Sequence, residues 1–207
     1  MSNERVPPES ARRDELLERA YNYVLQYGIT GLTLRPLAKE IDSSPRVLLF
    51  LFGSKDGLVR ALLGRARVDE LAWLRRLEES NPGGDLASMA ATIWEWLSAE
   101  EYRDLLRLWA EGYTRSLVEP HGPWANFAQS TVSDWLELLA AAQDPDERSS
   151  PRAIAERTLT LAVLRGALLD LLATNDQQRI TAAVEQYLTD QCRGSASPGK
   201  VRVAWIV

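Results

Sequence analysis

The side chains with most chemical promise in this 207-residue chain are few and scattered. His121 is the only histidine, set between Pro120 and Gly122 in a loop-forming stretch, and Cys192 is the only cysteine. Neither has further ligands at metal-binding spacing, and no glycine-rich loop of the phosphate-cradling kind occurs. The adjacent acids Glu78-Glu79 and Glu100-Glu101 read as solvated helix ends. Acid–base catalysis needs titratable groups converging on one spot, and no spacing here requests it. The expectation is therefore a non-enzyme, with no catalytic residues, no metal and no cofactor. What the chain does concentrate, between Thr33 and Lys55, is a set of hydroxyl and cationic side chains: Thr33, Arg35, Ser44, Arg46 and Lys55. Such groups hydrogen-bond phosphates and base edges.

Local start and stop signals set the elements that must hold them. Thr33 is a good N-cap residue for a short helix from Leu34 to Ile41, with Pro36 tolerated in its first turn. Asp42-Ser43 breaks the pattern. Ser44 then caps a second short helix with Pro45 at its first position, and Gly53 supplies the backbone freedom that closes it. Ser54 caps a third helix that begins at Lys55. Two short helices joined by a tight turn, the second with an open N-terminus, are the geometry of a helix-turn-helix DNA reader.

Thr33, Leu37-Ala38, Ser44, Leu48, Phe52 and Ser54-Lys55 with Leu58 stand in the order and spacing of a known signature. Over about the first sixty residues the chain resembles the N-terminal module of TetR-family transcriptional regulators, the usual extent of one small reading module. Beyond it only the helical layout is similar. The resemblance implies a homodimer that binds double-stranded DNA and a small-molecule site among the body helices. Three positions depart from the family pattern. Asp42 replaces the usual turn glycine, a substitution that tolerates a left-handed backbone. Leu49 and Phe50 stand where the family usually has Tyr, often followed by His. Leu49 cannot bond a phosphate, and Phe50 cannot hydrogen-bond a base, though it can touch a thymine methyl. The predicted DNA-facing set is Thr33, Arg35, Ser44, Pro45, Arg46, Leu49, Phe50 and Lys55.

Composition fits this division. The hydrophobic share of 45% and charged share of 26% are those of an ordinary soluble globular protein. The net charge of −5 divides unevenly: residues 1–60 carry +1 and the remainder −6. A mildly basic head on an acidic body points towards nucleic acid. The polar start and the lack of a long apolar run lead to a cytoplasmic protein with no membrane partner.

Residues 1–9 read as a flexible arm from which Arg5, with Arg12 and Arg13 beyond it, either reaches DNA or is simply solvated. A first helix follows from about Ala11 to Tyr27, with Leu16, Leu17, Ala20, Tyr21, Val24 and Leu25 on one face. The helix from Ser54 runs to about Glu79. It is long enough to join two modules, as a lever or as plain scaffold. The body is all helix, with segments predicted from Asp85 to Ala99, Glu101 to Leu117 and Pro123 to Ala142. Their large rings, Trp94, Trp109, Tyr113, Trp124, Phe127 and Trp135, with Thr131, either form plain core or line a cavity for an apolar or aromatic ligand. Pro151 to Ala173 is apolar nearly all round, so it needs cover on two sides. With Asp176 to Gln191 it is predicted to form a four-helix interface with a second subunit. Arg165 within it pairs either with an anionic ligand group or with an interhelical partner such as Asp170. Residues 193–207 form a linker and an apolar tail that docks or is disordered.

The expected protein is thus all-α: a head at 1–60, a ligand-binding and dimerisation body at 61–192, and the tail. A ligand fitting the body better when the long helix tilts would change the spacing of the two heads. The competing reading is a dimeric ligand-binding or interaction protein of the same build whose sequence-specific reading is weak or lost.

Overall fold

A computed structural model describes residues 9–80 and 83–195. The described residues form nine α-helices and one short 3-10 turn, with no strand among them. None of these helices is long and apolar enough to cross a membrane. The described residues pack as two compact units, one within 9–76 and 99–137, the other within 77–98 and 138–195. The arm before Glu9, Asn81-Pro82 and the tail beyond Ser195 lie outside the described residues.

In the first unit, α1 (Glu9–Tyr27) backs α2 (Leu34–Glu40) and α3 (Pro45–Phe52), and α4 begins at Lys55. The predicted apolar face of α1 is buried at Leu16, Ala20, Tyr21 and Val24. These residues join Leu37, Ala38, Leu48, Phe52, Leu58 and Leu62 in one core, which also takes in Leu108 and Trp124. Burial of this apolar area is the main force holding the short helices, because seven or eight residues are too few to be stable helices alone. Two polar staples add direction. The Tyr21 hydroxyl donates to Asp69 Oδ2 at 2.9 Å, and Arg65, which ion-pairs with Asp69, reaches Glu18 at 2.5 Å. Arg13 lies 5.1 Å from the Phe52 ring, and Arg12 bonds Glu15. Arg12 is therefore engaged on α1 itself and Arg13 against α3.

The caps follow the expected chemistry with one exception. Ser44 Oγ accepts from the Val47 amide at 3.3 Å, and Ser54 Oγ from the Gly57 amide at 2.9 Å. Asp42 takes φ +52 and Gly53 φ +76, as the tight turns require. Thr33 occupies the N-cap position of α2 in extended conformation but makes no capping bond. Pro36 has no N–H to offer at the third helical position, which removes one of the two usual donors.

After α4 (Lys55–Ser80) come α5 (Leu86–Ser98), the 3-10 turn Glu100–Tyr102 and α6 (Arg103–Val118). The next helix, α7 (Phe127–Ala141), starts four residues later than Pro123 suggested. Asn126 has φ +64, which interrupts a helical run, so Trp124 sits in a turn that packs into the core. In the second unit α8 (Pro151–Thr174) and α9 (Gln177–Ser195) pack on each other and on α5. Asn175 ends α8 in the left-handed conformation. Helix α9 continues to Ser195, past the expected start of the linker at Arg193.

Candidate nucleic-acid interface and ligand site

The predicted DNA-facing residues all fall on α2, α3 and the first residue of α4, or on the cap residues before α2 and α3. Thr33, Arg35, Arg46, Leu49, Phe50 and Lys55 are exposed, while Ser44 and Pro45 are half-buried. Leu48 and Phe52 hold the back of α3 in the core, so Arg46, Val47 and Phe50 share its outward face. Ser44 accepts a capping bond, and its O–H is still able to donate outward. At the start of α4 the Gly57 amide is spent on Ser54, leaving the Lys55 and Asp56 amides at the open positive end of the helix. Gly57 itself cannot be another residue without rearrangement: a Cβ there would lie 2.0 Å from the Phe52 carbonyl oxygen. That close approach fixes the angle between α3 and α4.

The head is also tied to α6. The Glu111 carboxylate accepts from the Ile29 amide at 2.8 Å and from the Thr30 amide at 3.2 Å. It sits where the chain turns from α1 towards α2. Gly28 sits at φ +79, which favours glycine, and a Cβ there would lie 2.9 Å from Glu111 Oε1, so the carboxylate would have to shift. Helix α6 is thereby hydrogen-bonded to the turn that leads into α2.

The ring-bearing residues divide between the two units. Trp94 and Arg165 belong to the second; Trp109, Tyr113, Trp124, Phe127, Thr131 and Trp135 belong to the first. Trp94 is buried and donates to Thr181 Oγ1 at 3.1 Å. Phe127 presses on Gly112, where a Cβ would stand 3.1 Å from its ring, so the small residue there meets a ring and not a void. Trp109 and Tyr113 form a tilted pair with ring centroids 5.0 Å apart. The Trp109 Nε1 donor is buried without a hydrogen-bond partner. An unpaired buried donor is costly, and a ligand acceptor would satisfy it.

Trp135 has a different setting, one that pattern reading missed. Its Nε1 donates to Glu70 Oε1 at 2.8 Å, and Arg67 donates to Glu70 Oε2 at 3.1 Å. Arg67 also forms an ion pair with Asp134 and reaches Thr131 Oγ1 at 3.4 Å. Glu70 is only 5% exposed. Burial pushes its carboxyl above the usual range, against the Trp135 hydrogen bond and the Arg67 charge, which pull it down. In sequence these charges look like part of the solvated side of α4. Only their spacing, Arg67 and Glu70 three apart and Thr131 and Asp134 three apart, hinted that two helices present them to each other.

No family model matches the chain. It is 27% identical over 180 residues to the HTH-type transcriptional regulator BetI of Rhizobium meliloti (strain 1021), covering 85% of this chain and 73% of that protein. Its fold is similar to the multidrug binding protein EbrR complexed with imidazole, at TM-score 0.61 and 26% identity, covering 89% of this chain and 94% of that one. It is also similar to a TetR-family transcriptional regulator from Rhodococcus sp., at TM-score 0.63 and 17% identity over 86% of this chain and 99% of that one. The fold is similar to that of TetR-family regulators, and the sequence is similar to a transcriptional regulator of the helix-turn-helix type. EbrR has also been solved with proflavin and with ethidium. On α3, Leu49 and Phe50 are apolar side chains left exposed.

Proposed function

We propose that this protein is a ligand-responsive transcriptional regulator whose residues 1–60 read DNA and whose residues 61–192 bind ligand and dimerise. The observation that carries the reading is the outward face of α3: Arg46 exposed in the first turn, with Thr33 before α2 and Lys55 at the head of α4. The similarity to BetI, a transcriptional regulator, supports it. We take repression by occupancy of a palindromic operator as the mode, with half-sites about 34–36 Å apart or a multiple of it.

A small apolar or aromatic ligand is the proposed effector, as the ligand-bound EbrR structures suggest. Trp109, with its unspent Nε1 donor, is the ring we expect to meet it, so the ligand should carry a hydrogen-bond acceptor. Trp109 lies on α6, two residues before Glu111, and Glu111 holds the Ile29 and Thr30 amides. The path from ligand to reading head would then lie within one packed unit. Such coupling is a free energy between two sites, typically about 1–3 kcal/mol.

A mobility shift with the DNA upstream of the protein's own gene tests the reading. Absence of any shift would favour the competing interaction protein, for which the greasy Leu49 and Phe50 speak. Two substitutions sharpen the test. Arg46→Ala should cost about 1–3 kcal/mol and relax preference at one base pair per half-site, since a guanidinium there can fork onto a guanine. Uniform weakening on all sequences would assign Arg46 to phosphate instead. Lys55→Ala should weaken binding without altering preference, and the slope of log affinity against log salt should become shallower by about one unit. An unchanged slope would remove Lys55 from the phosphate clamp.

A further inference from the structure

The recognition helix presents more apolar surface than charge. Phe50 is 74% exposed, Leu49 41% and Val47 37%, all on the eight-residue α3. Each is held there by the fold, because Leu48 and Phe52 are buried on the opposite side. The caps of α3 and α4 are satisfied, so this exposure is not the by-product of a misplaced helix. The neighbours on the same face say what covers it. Arg46 precedes Phe50 by one helical turn, and Thr33 and Lys55 flank α3 with phosphate-binding chemistry. The patch is therefore continuous with the DNA-facing surface.

We propose that Phe50, with Val47 beside it, selects thymine by packing on its C5-methyl group in the major groove, a readout that rests on the DNA-binding function proposed above. The thymine methyl is the one apolar group that projects into the major groove, where the base edges otherwise present mainly donors and acceptors. Phe50 offers no hydrogen bond, so opposite G or C it would strip water from polar edges and return nothing. Opposite thymine it buries a methyl. Four residues rise about 6 Å along a helix, so the selected thymine lies one or two base pairs from the base read by Arg46. Specificity here is built from one forked cation and one apolar contact per half-site, in place of a row of polar side chains.

The test uses the full-length protein and duplexes enriched by it from a randomised library. In the enriched site each thymine is replaced singly by uracil, which removes only the methyl, and affinities are measured for wild type and Phe50→Ala. Phe50 is too exposed for its truncation to endanger folding. One uracil position per half-site should weaken wild-type binding about fourfold, the change that corresponds to about 0.8 kcal/mol for one buried methyl group. The same replacement should be neutral in Phe50→Ala, because the pair interaction is already gone. Uracil tolerated everywhere by the wild type overturns the inference while leaving DNA binding intact. An equal loss in both proteins also overturns it, since the methyl then acts through DNA shape and not through Phe50. Failure to enrich any duplex overturns the DNA-binding proposal and this inference with it.

Discussion

Arg67→Ala should lower the stability of the protein by about 3–5 kcal/mol, the usual consequence of leaving a buried charge without its partner. Arg67 is the cation shared by Glu70 and Asp134, and Glu70 is the more deeply buried of the two acids. Once the guanidinium is gone, Glu70 keeps only the Trp135 N–H, with Asp134 still nearby. The loss should depend on pH, and its sign follows from protonation. Glu70 already sits above its ordinary carboxyl value of 4.5 when folded, and losing Arg67 raises it further. Between the unfolded and folded values the native state binds a proton that the unfolded chain does not. Stability contributed by that proton is complete below the unfolded value and is lost as pH rises through the folded one. Urea denaturation should accordingly find the variant least impaired at and below the ordinary carboxyl value and more impaired as pH rises through the raised folded one. Combining Arg67→Met with Glu70→Gln should recover part of the loss, because the amide oxygen still accepts from Trp135 and the more deeply buried of the two charges is gone, while Asp134 remains. A loss under about 1 kcal/mol that is flat with pH would place the cluster in water.

Leu169→Glu should leave the subunit folded and abolish the dimer, whereas Leu168→Glu should destroy both. The two leucines adjoin in sequence but differ in setting: Leu168 is 2% exposed and Leu169 47%. Helix α8 buries Ala153, Thr160, Leu161, Leu164, Leu168 and Leu171. It leaves Ala155, Leu159, Ala162, Gly166, Leu169 and Ala173 exposed as a second stripe at three-and-four spacing. Nothing in the subunit stands within 4 Å of a Cβ built on Gly166, so another helix has room to approach there. We propose this stripe as the α8 contribution to the homodimer, with α9 beside it. A glutamate at 169 would bury an unpaired charge in the dimer alone, a cost of about 3–5 kcal/mol. That corresponds to roughly a hundredfold or more in dissociation constant. Sedimentation should report folded monomer for Leu169→Glu and unfolded protein for Leu168→Glu. A Leu169→Glu dimer as tight as wild type would move the interface off this stripe.

The all-helical class, the start and stop of most helices, and the helix-turn-helix were legible in the residues themselves. The reason is that their signals are local: Ser44 and Ser54 cap within three residues, Asp42 and Gly53 turn the chain in place, and apolar spacing marks each buried face. Where a local signal misled, a neighbour of equal reach was the cause. Pro123 is a good helix opener, but Asn126 three residues on adopts a left-handed backbone and delays α7. Thr33 is a good cap, but Pro36 removes one of its donors.

Tertiary structure alone decided which of two identical patterns was core and which was surface. Nothing in the apolar run of α8 separates Leu168 from Leu169, since both lie on apolar stripes and only packing against α5 and α9 buries one of them. The charged residues of α4 likewise read as solvent-facing, and the distant partners that draw them inside, Trp135 for Glu70 and Thr131 with Asp134 for Arg67, lie more than sixty positions away. Glu111 meets Ile29 and Thr30 across a similar span. Local chemistry fixes helices because its partners are three or four residues apart. Burial of a charge is set by what the folded chain brings to it from far along the sequence, and that is a property of the packing.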